Sequence, residues 1–226
     1  MPSPKKRGQT AKAVVRARGT DIAVLLHMKP PDGFVAKPGR MPSDEHWVLP
    51  GDDILAGARA QMTHHIDIEA PPKEVWPWLV QMGRRRGGWY SWDFVDNGGT
   101  PSADRIIPAL QKLAVGDILP IKPNGPDGFA VLAIDPMRAL ILGDPSLLPG
   151  RPEPRKGTPR GTWAFSLEPI GNSATRLVVR VRIEYEPSWA TAVLRPVVAG
   201  LHEVMERKQL RTLKQRAESG STFAPS

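Results

Sequence analysis

Residues 68–79 read Ile-Glu-Ala-Pro-Pro-Lys-Glu-Val-Trp-Pro-Trp-Leu and mark the passage from a strand to a helix. Before them, apolar and polar residues alternate from Met62 to Ile68, which predicts a half-buried strand. Pro71 and Pro72 end that strand and suit the first turn of a helix. The helix has one apolar face, because apolar residues recur at i, i+3, i+4 and i+7, namely Val75, Trp78, Leu79 and Met82.

The residues that follow predict short helices, a series of strands and a long last helix. The short helices are expected at residues 92–97 and 104–110. Strands are expected at residues 117–122, 129–135 and 139–142. Two stronger ones follow, in which Trp163, Phe165 and Leu167, and then alternate residues from Leu177 to Tyr185, are apolar. An amphipathic helix is predicted from about Ser188 to Ala217, with an apolar stripe formed by Leu194, Val197, Val198, Leu201, Val204 and Met205.

The turn from Gly83 to Gly88 separates the first helix from an aromatic run. Its three glycines bracket three arginines, and Trp89, Tyr90 and Trp92 follow at once. Glycine makes the backbone easy to move, and arginine side chains favour water. The sequence therefore suggests a mobile lip beside a binding cavity, with a rigid structural turn as the alternative.

Several short motifs identify the chain as similar to a known superfamily. The opening segment resembles the pattern I-x-A-P-P-E-x-V-W of the START-related, polyketide-cyclase and birch-pollen-allergen superfamily (SRPBCC). The further matches, which resemble one bacterial subgroup, are residues 50–53 (Pro-Gly-Asp-Asp), 81–83 (Gln-Met-Gly), 87–91 (Gly-Gly-Trp-Tyr-Ser), 103–106 (Ala-Asp-Arg-Ile), 161–165 (Gly-Thr-Trp-Ala-Phe) and 205–210 (Met-Glu-Arg-Lys-Gln-Leu). Gln209 departs from the pattern, since an apolar residue is more usual there.

The resemblance implies an α+β helix-grip fold. In that fold a curved antiparallel sheet wraps around a long C-terminal helix, two short helices accompany it, and a cavity lies between sheet and helix. The cavity of the superfamily holds apolar or amphipathic small molecules, and a minority of members catalyse reactions there. The predicted domain covers residues 49–218, after an irregular extension at 1–48 and before a disordered tail at 219–226.

Composition excludes several classes of protein. The 226 residues contain no cysteine, so disulfides, cysteine-ligated zinc and thiol catalysis are excluded. The apolar runs are far shorter than the roughly 20 residues of a membrane span, and the N-terminus lacks the apolar region of a secretory signal. We therefore expect a cytoplasmic protein without a cofactor.

The net charge of +8 comes mostly from the N-terminus. Residues 1–20 hold six basic residues and no acidic one. Such a segment could bind nucleic acid or an anionic surface. A disordered, solvated extension is the favoured interpretation, because no groove-reading motif accompanies the charge.

Candidate ligand-binding residues lie in the aromatic run, in the predicted strand that contains Trp163 and Phe165, and in the last helix. They are Trp78, Trp89, Tyr90, Trp92, Asp93, Arg105, Trp163, Phe165 and His202. Each has a structural alternative: core packing for the aromatic residues, a salt bridge or helix cap for Asp93 and Arg105, and a packed helix flank for His202.

Other polar groups have simpler explanations. Asp52 or Asp53 is expected to cap a short helix at residues 54–60. His64 and His65 are neighbours on a strand and face opposite ways, so they cannot readily share a metal ion. Glu203 and Arg207 are spaced to pair with each other. No catalytic or metal-binding motif is found in the sequence, so no catalytic residue is assigned.

Three functions are consistent with these observations. Binding or carriage of an apolar or amphipathic small molecule is favoured. A cofactor-free cyclase, hydrolase or dehydratase is the alternative, and it requires a carboxylate or histidine with a perturbed pKa inside the cavity. An adaptor for nucleic acid or anionic surfaces, acting through the basic extension, is the third.

Overall fold

The computed structural model describes residues 48–122, 127–187 and 189–220, and side chains within the last range from residue 199 onward. The predicted basic extension, the turn at residues 123–126 and most of the predicted C-terminal tail lie outside the described residues. None of the described helices combines the length and apolar character needed to cross a bilayer.

Six antiparallel strands form one curved sheet. They are β1 (Ala60–Ile68), β2 (Ile118–Pro120), β3 (Gly128–Asp135), β4 (Ala139–Gly143), β5 (Arg160–Ile170) and β6 (Ala174–Glu184). Their order in the sheet is β1-β6-β5-β4-β3-β2, so the first and last of the described strands are neighbours. The sequence predicted a strand at each of these six places, and the alternation of apolar and polar residues carried the prediction for β1, β5 and β6.

Within the described ranges, three α-helices accompany the sheet. They are α1 (Pro72–Val80), α2 (Asp93–Asp96) and α3 (Trp189–Gly220). Helix α1 continues through Pro77, which lies within it. The prediction of a helix at residues 104–110 is wrong, because the structure has only a short 3-10 helix there, at Pro108–Leu110. The predicted α+β architecture is confirmed.

The main core lies on the inner face of the sheet, where α1 and α3 pack. Strands contribute Ile68, Leu142, Phe165 and Leu177, while Leu79 comes from α1 and Leu210 from α3. Of the predicted stripe of α3, the side chains of Leu194, Val197 and Val198 lie outside the described residues. Leu201 and Met205 are half-buried, and the prediction is wrong for Val204, which is exposed. The buried face of the described part is formed by Glu206, Gln209, Leu210, Leu213 and Ala217. This face therefore contains two polar residues within an apolar core.

Residues 49–58 cover the outer face of the sheet. Ile54 packs against the buried residues Ala139, Ile141 and Ala164. The prediction of a helix at residues 54–60 is wrong, because residues 51–57 form successive turns and β1 begins at Ala60. Asp52 consequently caps no helix. Its carboxylate accepts a hydrogen bond from Arg180 at 2.5 Å and lies 3.4 Å from Arg182.

Candidate functional site

A cavity of about 540 Å³ lies between the inner face of the sheet and α3. Its volume is in the range of about 300–1,000 Å³ that is typical of small-molecule sites. Much of the wall is apolar and includes Trp89, Phe129, Trp163, Val181, Ile183 and Met205. The polar part includes Asp96, Asp144, Arg160, His202, Glu206 and Gln209. The cavity therefore combines a large apolar surface with several titratable groups.

Three aromatic side chains form a continuous wall. The rings of Trp89 and Trp163 are stacked, with centroids 5.7 Å apart and planes 21° apart. Phe129 meets both edge-on, at 5.8 and 5.6 Å. Strand alternation directs Phe129 and Trp163 inward, and hydrogen bonding fixes the third residue, because Gln209 donates to the carbonyl of Trp89 at 2.9 Å. The wall is a preorganised surface against which a planar apolar group can pack.

Hydrogen bonds hold the Gly83–Gly88 turn in place. Gly83 and Gly88 exchange two backbone hydrogen bonds of 3.0 Å, and Gly87 donates to the carbonyl of Gln81 at 2.7 Å. Arg86 is half-buried, and its guanidinium donates to the carbonyls of Met82, Val80 and Leu110. This pattern favours the rigid-turn alternative over the mobile lip suggested by the sequence.

Glu206 lies between two histidines at the α3 side of the cavity. The side chain of Glu206 is 1% exposed. His202, one turn earlier on α3, places Nε2 3.0 Å from Oε2 of Glu206. His64 on β1 places Nδ1 3.4 Å from Oε1. The helix spacing i, i+4 brings the first pair together, and packing of α3 on β1 brings in His64.

Hydrogen bonding and charge attraction together keep this buried carboxyl group ionised. Burial by itself would raise the pKa of Glu206, but His202 and His64 outweigh that effect and hold the pKa below its ordinary value. In return, the contact with Glu206 raises the pKa of His64 although burial opposes this. The cavity therefore contains a carboxylate whose charge is compensated by imidazole groups behind and beside it.

Asp96 is a second titratable group on the cavity wall. Burial raises its pKa to about 7, and the neighbouring carboxylate of Asp93 adds to the rise. Among the described residues, no donor forms a hydrogen bond with either carboxyl oxygen of Asp96. Asp96 therefore changes protonation near neutral pH, which is the condition for a general acid or base.

The structure places the nine sequence-predicted ligand residues in three different settings. Trp89, Trp163 and His202 line the cavity. Trp78, Tyr90 and Phe165 are buried in the main core. Trp92, Asp93 and Arg105 lie elsewhere. The ring of Trp92 is covered by Lys208, Asp93 accepts a hydrogen bond from Ser102, and Arg105 is exposed. Ligand binding by any of these residues remains a prediction.

Glu206, Gln209 and Asp96 are among the polar residues of the cavity that sequence reasoning missed. Glu206 follows His202 by one helical turn, so the i, i+4 rule that paired Glu203 with Arg207 also indicates this pair. Gln209 stands out in the sequence only as a departure from the superfamily pattern. Asp96 follows Asp93 in a short acidic helix, and nothing local in the sequence indicates that its carboxyl group is buried.

No metal centre is indicated by the described residues. Within the described ranges, no three His, Cys, Asp or Glu side chains converge as a set of metal ligands. His64 faces Glu206, whereas His65 lies near Arg176 and Asp67. The two histidines thus face opposite sides of β1, as strand geometry predicted.

Comparison of the sequence with protein families and with characterised proteins gives no match. Comparison of the structure with solved structures finds loose similarity to several proteins. The Zhui aromatase/cyclase from Streptomyces sp. R1128 aligns with a TM-score of 0.44 at 13% identity, over 72% of this chain and 95% of that one. A norcoclaurine synthase from Thalictrum aligns with a TM-score of 0.37 at 14% identity, over 70% and 96%.

A protein from Nitrosomonas europaea aligns with a TM-score of 0.41 at 16% identity, over 72% of this chain and 97% of that one. Likeness at this level assigns neither a ligand nor a reaction. The architecture of the chain itself decides the fold, since a curved antiparallel sheet packs around a 32-residue terminal helix. The chain has the helix-grip fold. The helix-grip architecture that the resemblance in sequence implied is confirmed.

Proposed function

We propose that this helix-grip domain binds an apolar or amphipathic small molecule in the cavity between the sheet and α3. The observation that carries the proposal is the cavity itself, about 540 Å³ in volume and walled by Trp89, Phe129 and Trp163. Aromatic rings that remain beside open space offer a large contact area to an apolar ligand. The polar groups at the α3 side then orient the bound molecule.

Filling part of the cavity should weaken binding without unfolding the domain. Val181 lies on the inner face of β6 and lines the cavity. In a fluorescence titration with N-phenyl-1-naphthylamine, an uncharged apolar probe, we expect Val181→Phe to weaken binding by about tenfold, equal to about 1.4 kcal/mol. Native mass spectrometry of the purified protein should also detect a co-purified small molecule.

Val115→Phe is the matched control, because Val115 is exposed and does not line the cavity. It adds the same side-chain volume and should leave the affinity for the probe unchanged. A wild-type protein that neither binds the probe nor carries a small molecule would contradict the proposal. Equal loss of affinity in both variants would show that the probe binds elsewhere.

A second candidate is acid–base catalysis on the bound molecule without a cofactor. The observation that favours it is the position of Asp96 on the cavity wall together with a pKa of about 7. The His202–Glu206 pair lines the same cavity. An entirely apolar cavity would have removed this alternative, and the cavity is not entirely apolar.

The titration of Asp96 predicts a pH dependence of stability. Its pKa in the folded state is about 7, raised above the ordinary value of 3.8. The stability contributed by its protonated form is therefore complete below the unfolded-state pKa and is lost as the pH rises through about 7. Asp96→Asn should match the wild type in urea unfolding near pH 4 and should exceed its stability at pH 8.

Asp104→Asn is the control, because Asp104 is exposed in the loop that follows α2. Its stability, measured over the same pH range, is the reference with which that of Asp96→Asn is compared. The difference between Asp96→Asn and the wild type should grow across pH 4–7. If that difference stays constant with pH, Asp96 does not titrate near neutrality and loses its suitability for acid–base chemistry.

A further inference from the structure

Buried polar atoms of some cavity-lining side chains have no hydrogen-bond partner among the described residues. They include Oε1 of Gln209 on α3 and Nε1 of Trp163 on β5. As whole residues, Glu206 is 3% exposed and Gln209 1% exposed, and both line the cavity. A buried polar atom without a partner is unfavourable, so such an atom at a cavity wall suggests that a ligand supplies the missing bond.

The orientation of Gln209 is fixed by the bond that its amide nitrogen makes. Nε2 donates to the carbonyl of Trp89 at 2.9 Å. The amide oxygen therefore cannot exchange places with the nitrogen without losing this bond. An acceptor oxygen that belongs to a buried side chain is thereby left available next to the aromatic wall.

Glu206 presents further acceptors at the same side of the cavity. Nε2 of His202 and Nδ1 of His64 lie 3.0 and 3.4 Å from its oxygens, which suffices for charge attraction. A carboxylate can accept about four hydrogen bonds, so lone pairs of Glu206 remain available beside these two imidazole contacts. The helix spacing of three residues places Glu206 and Gln209 on the same face of α3.

A donor on the aromatic wall completes the set. The indole N–H of Trp163 can only donate, and the Trp163 ring lies 6.1 Å from the ring of His202, centroid to centroid. Acceptors from α3 and one donor from β5 therefore occur around the same part of the cavity. A single hydroxyl group matches this set, because it donates one hydrogen bond and accepts others.

The charges around the cavity disfavour an anionic ligand. Asp96, Asp144 and Glu206 contribute carboxyl groups to the lining. The lining in the described part of the chain contains one Lys or Arg residue, Arg160, and its guanidinium already contacts Glu184 at 2.5 Å and Glu153 at 2.9 Å. A carboxylate head group would meet buried acceptors and like charge.

We infer that the ligand is an apolar molecule bearing a neutral hydroxyl group, which donates to Glu206 or Gln209 and accepts from Trp163, and that ligands with a carboxylate head are rejected. The inference rests on the proposed function and specifies the chemistry of the molecule bound at that site. A protonated amine could satisfy the acceptors but could not accept the bond from Trp163.

Four probes with the same ring system test the inference by isothermal titration calorimetry: naphthalene, 2-naphthol, 2-naphthylmethylamine and 2-naphthoate. We expect 2-naphthol to bind about tenfold more tightly than naphthalene and than the amine, and 2-naphthoate to bind most weakly. Binding of 2-naphthoate as tight as that of 2-naphthol would overturn the inference, and so would the tightest binding by the amine. Absence of binding by all four probes would overturn the proposed function as well.

Two variants locate the hydroxyl site. Glu206→Gln keeps the shape of the side chain and removes its charge, while Gln209→Leu removes the amide and with it the hydrogen bond to the carbonyl of Trp89. At least one of the two variants should weaken 2-naphthol binding about tenfold more than it weakens naphthalene binding, provided that circular dichroism shows an intact fold. Equal loss for both probes would indicate a structural role only, and the inference would then fail while cavity binding stands.

Discussion

Replacing Asp52 with asparagine is expected to lower the free energy of unfolding by about 3 kcal/mol. Arg180 is 2% exposed on the outer face of β6, and its guanidinium donates to Oδ2 of Asp52 at 2.5 Å. The same carboxylate lies 3.4 Å from Arg182 and accepts the backbone N–H of Leu49 at 2.9 Å. Removing its charge leaves a buried guanidinium opposite a neutral amide, which is the costly way to break a buried ion pair.

Urea unfolding monitored by tryptophan fluorescence measures this effect, and Asp53→Asn is the control. Asp53 is adjacent but exposed, so its replacement should change stability by less than about 0.5 kcal/mol. The double variant Asp52→Asn with Arg180→Met should be more stable than Asp52→Asn alone, because it also removes the buried charge. Equal stability of the wild type and Asp52→Asn would show that residues 49–58 are not held to the sheet by this ion pair.

Asp52 also shows where prediction from the sequence stops. The sequence places it after a Pro-Gly turn, where a helix cap is the simplest local interpretation. Its actual partner, Arg180, is 128 residues away in the chain. Alternation on β6 predicts that Arg180 faces away from the core, but it does not indicate that residues 49–58 cover that face. Local patterns thus predicted the strands and missed the contact that fastens this segment to them.

The candidate site was likewise predictable only where its contacts depend on a single strand or helix. Trp163 faces the cavity because alternate residues of a strand share a face, and this pattern is visible in the sequence. The pair of His202 and Glu206 follows from helix spacing and could have been recognised. The contact between His64 and Glu206 could not, because it depends on how α3 packs against β1. The burial of Asp96 likewise depends on tertiary packing.

Replacing Gly88 with alanine is expected to destabilise the domain by about 3 kcal/mol, the sum of backbone strain and steric crowding. Gly88 has φ +80°, a conformation that costs other residues about 1–2 kcal/mol. A Cβ atom at this position would also lie 2.8 Å from the Cα atom of Ser102. The crowding arises from the backbone of a neighbouring segment, which cannot move aside as a flexible side chain would.

Ser102 is itself held in place. Its hydroxyl donates to Oδ1 of Asp93 at 2.5 Å and accepts the backbone N–H of Tyr90 at 3.1 Å. The next residue, Ala103, donates to the carbonyl of Gly87 at 2.8 Å. Relief of the crowding would therefore break hydrogen bonds that position the residues on either side of Trp89, so the variant should also disturb the aromatic wall.

Gly99→Ala is the matched control for Gly88→Ala. Gly99 has the same φ of +80°, and within the described part of the chain no neighbouring atom lies within 4 Å of the position that the added methyl group would take. The replacement should cost only the backbone strain of about 1 kcal/mol, and the excess loss in Gly88→Ala measures the crowding. Near-ultraviolet circular dichroism should report a changed tryptophan environment in Gly88→Ala alone.

If both variants lose the same stability, the turn yields to the added methyl group, and the mobile lip suggested by the sequence becomes the better description. An excess loss confined to Gly88→Ala means that the turn is a rigid support, so the ligand must enter the cavity without the movement of Trp89.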